Sequence, residues 1–149
     1  MSSKTNTGMS LIVKTVTRIV VSVILVFGIY IVAHGHVALG GGFAGGIIIA
    51  LSFVLLILAF GRNVAVNKIS VTLAANLETI GALMFLGIAL LGFLKGAFFT
   101  NILSKGVPFK LFSAGTISLS NYAISLKVGI GLFSIYLAFV ILERYKQGK

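Results

Sequence analysis

The sequence predicts an all-α integral membrane protein with four transmembrane helices, both termini cytoplasmic, and one long, partly apolar outer connection. Three observations carry that prediction. Of 149 residues, 58% are hydrophobic and only 9% are charged, where soluble domains carry about 25% charged residues. Arg18 and Arg62 bracket 43 residues without a fixed charge. At the middle of that run stands a glycine-dense polar corner, His34-Gly35-His36-Val37-Ala38-Leu39-Gly40-Gly41-Gly42-Phe43-Ala44-Gly45-Gly46. Two apolar spans joined by such a corner describe a helical hairpin crossing a bilayer. Since a spanning helix needs about 20 mainly apolar residues, length counts spans here. The whole of 1–149 reads as one four-helix membrane domain.

Residues 1–18 form a basic lead-in, polar to Met9 and expected to lie on the membrane surface before merging with span one. The start does not read as a cleavable signal peptide, because the apolar stretch after Arg18 is long and lacks a small-x-small cleavage site. Span one covers about Ile19 to Ala33 and borrows a turn from the Lys14–Arg18 segment, whose basic side chains snorkel to the headgroups. Span two runs from about Gly42 to Phe60. Arg62 and Lys68 mark a short polar link. Span three runs from Val71 to Leu94 and is interrupted by Asn76 and Glu78. Span four runs from about Asn121 to Leu142 and is interrupted by Lys127. The connection at 96–120 is too apolar for a free loop: Ala97-Phe98-Phe99 and Pro108-Phe109-Lys110-Leu111-Phe112 need cover, so an interfacial or re-entrant element is expected there.

With a cytoplasmic N-terminus, the inner side holds Lys4, Lys14, Arg18, Arg62, Lys68, Arg144, Lys146 and Lys149, against Lys95, Lys105 and Lys110 outside. Positive charge favours the cytoplasmic face, which fixes the expected orientation in the cell membrane. Tyr30 and Tyr122 fall near the outer interface and Tyr145 near the inner one. The same placement argues against nucleic acid despite a net charge of +10, because nucleic-acid binders gather their basic residues on one face. Cysteine is absent, which excludes disulfides, thiolate-held iron–sulfur clusters and a cysteine nucleophile in this chain. No internal repeat is evident. No nucleophile–base set, cofactor motif or metal-ligand cluster emerges either, so catalysis by the chain alone is not expected.

Few residues can carry chemistry. Glu143 lies at the cytoplasmic end of span four beside Arg144, where an interfacial charge is expected. Glu78 has Ala74, Ala75, Gly81 and Ala82 three and four residues away, a face suited to close helix contact. An intramembrane carboxylate usually faces protein or water, so Glu78 is a candidate for an ion path; the competing readings are a structural pairing with a basic group on another subunit and a shallower, interfacial position. Lys127 is a second candidate. Ala123, Gly131 and Ser134 lie along its stripe, and it falls about six residues from the outer end of span four, within reach of snorkelling. His36 is the third, since imidazole changes charge near neutral pH; its spacing of two from His34 does not support a shared metal site. Gly41, Gly42, Gly45 and Gly46 contain two small-xxx-small pairs and are expected to pack span two closely against a neighbour. A phosphate-cradling loop fails as a rival reading, because neither lysine nor strand context accompanies the glycines.

Glu78 is expected toward the inner leaflet and Lys127 toward the outer one, so the two should not pair. A relay needs a chain of ionisable groups. One intramembrane acid cannot supply it, and the remaining groups must come from other chains.

The string Gly35-His36-Val37-Ala38-Leu39-Gly40-Gly41-Gly42-Phe43-Ala44-Gly45-Gly46 resembles the Gly-His-x-x-Pro-Gly-Gly-Gly-Phe-x-Gly-Gly signature of the B subunit of Mrp-type multisubunit sodium/proton antiporters. A second string, Leu111 to Asn121, resembles that family's Ser-Gly-Gly-Thr-Ile-Pro-Leu-x-Asn motif before the last helix. Leu39 and Ser118 stand where the family has proline, and Ala114 replaces a glycine; those prolines would stiffen both outer corners. The resemblance covers about Phe27 onward. It implies a non-redox membrane subunit without cofactors that supports Na+ and H+ passage beside larger antiporter-like subunits. Similar subunits occur in archaeal membrane-bound hydrogenases and related energy-converting complexes. A purely architectural spacer is the competing function.

Overall fold

The computed structural model describes residues 8–37, 40–61, 71–103 and 113–147. Among the described residues, four helices are long and apolar enough to cross a membrane. They are α1 (Leu11–Ala33), α2 (Gly41–Phe60), α3 (Val71–Leu91) and α4 (Thr116–Gln147), with a 3-10 turn at Gly92–Lys95 continuing α3. No strand occurs among the described residues.

Each helix has a local reason for its limits. Ser10 caps α1, its side chain accepting from the Val13 amide at 3.4 Å. α1 thus starts at Leu11 rather than near Ile19, and Lys14 and Arg18 sit inside the helix. At its inner end the Arg18 guanidinium lies 5.1 Å from the centre of the Phe60 ring, and the Met9 amide donates to Ala59 O at 3.1 Å. Those contacts bind the beginning of α1 to the end of α2. The corner between the two helices passes through Gly40 at φ +97°, a left-handed conformation that glycine adopts without penalty.

The helices form an open row rather than a closed bundle. α1 packs along α2, α2 along α4, and α4 along α3, while α2 and α3 make no contact among the described residues. The packed seam between α2 and α4 holds Ala50, Ile57, Phe133 and Leu137, and Phe53 meets Phe133 edge-on at 6.0 Å. Only 17–33% of each span is buried within the chain, so most of its side chains face lipid or another protein. Between membrane helices, packing rather than hydrophobic transfer holds the structure together, and small residues mark the seams. Gly28 of α1 faces Ile49 and the Gly45 carbonyl of α2, and Gly46 of α2 faces Ser125, Gly129 and α4.

After α3 the chain folds back on itself. The Phe99 amide donates to Ala89 O at 3.2 Å, Lys95 Nζ donates to Ile102 O at 2.8 Å, and the rings of Phe85 and Phe99 lie 5.5 Å apart. This segment covers part of the outer end of α3. The expected apolar run 108–112 lies outside the described residues, as do residues 1–7, Leu39, and the basic positions Arg62, Lys68, Lys105 and Lys110.

Candidate functional site

The most consequential difference between expectation and structure is where α4 begins. Helix formation starts at Thr116, five residues before Asn121. Its first turn is held from a distance. Asn101 Oδ1 accepts from the Thr116 amide at 3.0 Å and from Thr116 Oγ1 at 3.1 Å, while Asn101 Nδ2 donates to Ala114 O at 3.3 Å. Gly115, at φ +61°, has no room for a Cβ, which would collide with the Asn101 amide. Asn101 therefore acts as a helix cap supplied from 15 residues upstream. Ser118 accordingly lies in the first turn of α4 rather than in the corner before it. A proline is tolerated at a first turn, so the family's proline at this position would not stiffen a corner.

Lys127 thus lies eleven residues into α4, about 16 Å along the axis at 1.5 Å per residue. There it meets Glu78: Lys127 Nζ and Glu78 Oε1 are 3.1 Å apart. The expectation that these two side chains lie in different leaflets and do not pair is corrected. It counted depth from the wrong helix start, and it neglected the reach of an extended lysine. The approach depends on missing side chains. A Cβ on Gly81 would meet the Lys127 backbone nitrogen at 2.9 Å, and one on Gly131 would meet Glu78 Oε1 at 3.2 Å. Of the small face expected around Glu78, Ala74 and Gly81 are buried against α4, while Ala75 and Ala82 are exposed.

The pair lines a groove of about 480 Å³ with Phe43, Val128, Gly131, Leu132, Ser134, Ile135 and Ala138. Within the chain the Lys127 side chain is 48% exposed and that of Glu78 32%. Ser134 Oγ is buried and without a hydrogen-bond partner among the described residues. On the opposite face of α4, an apolar trough of about 470 Å³ separates α2 from α3.

His36 stands at the outer corner and does not line the groove. Next to it, His34 ends α1, its ring Nδ1 lying 3.1 Å from Tyr30 O. The four glycines of the corner are all buried. Gly41 and Gly42 lie against Asn121 of α4, whose Oδ1 accepts from the Gly42 amide at 3.4 Å, and a Cβ on Gly42 would run into the Asn121 backbone carbonyl. Gly45 faces Val32 and Gly46 faces Ser125. The two glycine- and serine-rich motifs, 79 residues apart at Gly42 and Asn121, therefore meet in space. Asn101 and Asn121 carry structural roles that sequence reasoning did not single out. For Asn121 the available signal was its place at the end of the serine-rich motif, whereas nothing beside Asn101 in the sequence links it to Thr116. No group of three or more metal-ligating side chains occurs among the described residues.

A row of four helices fit to cross a membrane, with an acid–base pair in the seam between α3 and α4, defines a multi-pass membrane protein whose polar site opens sideways. The chain belongs to the family described as a domain related to the MnhB subunit of the Na+/H+ antiporter, which matches residues 12–134. It is 34% identical over 140 residues to the uncharacterized protein MJ1307 of Methanocaldococcus jannaschii, a match covering 86% of this chain and 53% of that protein. It is 40% identical over 73 residues to a Staphylococcus epidermidis protein with the provisional name antiporter subunit mnhB2, covering 49% of this chain and 51% of that protein. A protein of the same name from Staphylococcus aureus is 38% identical over 73 residues, with the same coverage. The chain spans about half the length of these relatives.

Proposed function

We propose that this chain is a non-redox membrane subunit of a multisubunit Na+/H+ antiporter module, and that its Glu78–Lys127 pair takes part in cation and proton passage. The observation that carries the reading is the contact itself: a carboxylate and an ammonium group 3.1 Å apart on facing helices, deep in a chain of this family. Ionisable side chains within membrane spans pair with one another and mark ion paths and proton relays. His36, at the outer corner, is the third candidate for the path. The chain contributes one carboxylate and one ammonium group at this depth, so the remaining groups of a continuous path come from partner subunits. The reading includes no catalysis by the chain alone. Its host is either a free-standing exchanger or a larger energy-converting complex such as a membrane-bound hydrogenase.

Extraction in mild detergent followed by identification of the accompanying chains tests this reading. Antiporter-like membrane subunits are the expected companions, and iron–sulfur or nickel-bearing chains among them would specify a hydrogenase host. Purification of the chain alone, active in sodium-for-proton exchange after reconstitution, would contradict it.

The architectural reading has its own supporting observation, the glycine seams at Gly28/Gly45 and Gly46/Gly129. Under that reading Gly45→Leu abolishes assembly on native gels, while Glu78 and Lys127 matter only through stability.

A further inference from the structure

The row of helices leaves the Glu78–Lys127 groove open on one side, and the chemistry of its walls specifies what closes it. At about 16 Å into a helix that crosses roughly 30 Å of hydrocarbon, lipid offers no hydrogen-bond partner. Yet nearly half of the Lys127 side chain is exposed there. An ammonium group carries three donors, and Glu78 Oε1 engages it from one side only. Beyond it along the same face of α4 come Gly131, Ser134 and Ala138, small residues that admit a close helix. The remaining walls, Phe43, Leu132 and Ile135, are apolar, which suits a helix body better than a column of water.

We infer that this groove seats a transmembrane helix of a different subunit, one that brings a carboxylate side chain to Lys127. The inference rests on the reading of the chain as one subunit of a complex. Charge selects the class of partner. The chain has only two acidic residues against twelve Lys and Arg. Glu143 lies four turns further along α4, and Glu78 is already committed to Lys127. A second copy of this chain therefore has no spare carboxylate to offer at this depth.

The test places benzoylphenylalanine at Ile135, which lines the groove and is 56% exposed, and irradiates the native complex in its membrane. The expected result is an adduct with a different polypeptide, mapped to a transmembrane segment containing Asp or Glu. An adduct with lipid only, with a second copy, or with a segment lacking those residues overturns the inference. Leu132, 41% exposed on the same wall, provides a second position should the Ile135 variant fail to accumulate. If companion chains co-purify but neither position labels one, only the groove assignment fails. If no companion co-purifies with the unaltered chain, the subunit reading itself fails.

Discussion

Lys127 and Glu78 face each other across two glycines: Gly131, one turn after Lys127, lies under the Glu78 carboxylate, and Gly81, one turn after Glu78, lies under the Lys127 backbone. The pair is thus built into the seam between α3 and α4 rather than added to its surface.

That reciprocity makes the seam sensitive to single methyl groups. Gly81→Ala forces a Cβ against the Lys127 backbone, where nothing flexible can yield, and overpacking of this kind costs about 1–3 kcal/mol. Gly87 of α3 has nothing within 4 Å, so Gly87→Ala is neutral or stabilising by up to about 1 kcal/mol. Thermal unfolding in detergent should separate the two variants; equal melting temperatures would disprove the close approach.

Removing one charge leaves the other exposed to an apolar surround without its partner, at a cost of about 1–3 kcal/mol. Lys127→Met and Glu78→Gln should each destabilise, and the double variant should be more stable than the sum of the two losses implies. A double-mutant cycle is expected to return a coupling of about 0.5–3 kcal/mol. Strict additivity would mean that the two groups do not interact.

At the outer end, Asn101→Ala strips the cap from α4. The first turn of the helix should fray, at a cost of about 1 kcal/mol, and the Thr116 amide should exchange faster with deuterium. Asn101→Asp keeps the accepting oxygen and should restore most of the protection. Unchanged exchange at Thr116 in the alanine variant would remove Asn101 from this role.

The hairpin corner is anchored by Asn121. Gly42→Ala places a methyl group in the Asn121 carbonyl and should separate α2 from α4, lowering the yield of folded chain. Normal yield and melting would show that the corner has slack the structure does not contain.

Much of the fold could be read along the chain, because charges end apolar runs sharply. Span two, expected from Gly42 to Phe60, is a helix over Gly41–Phe60, and span three ends within a residue of Lys95 once its 3-10 turn is included. The start of α4 could not be read this way. Thr116-Ile117-Ser118-Leu119-Ser120 alternates polar and apolar residues with a period of two, which is not a helical pattern, and the group that caps it, Asn101, is distant in sequence. That error of five residues propagated into the depth of Lys127 and hid its pairing with Glu78. The order of the helices in the row was equally hidden. Spans apolar on every side carry no stripe that names a neighbour, and the contacts between α2 and α4 are set by glycines that look alike in sequence.

The central claim is that the Glu78–Lys127 pair belongs to the ion path. It is tested most directly by sodium-dependent proton exchange in membrane vesicles whose complexes carry Glu78→Gln or Lys127→Ala and assemble normally on native gels. The account predicts exchange well below that of the unaltered complex in both variants. Exchange at the unaltered rate in fully assembled complexes would contradict it.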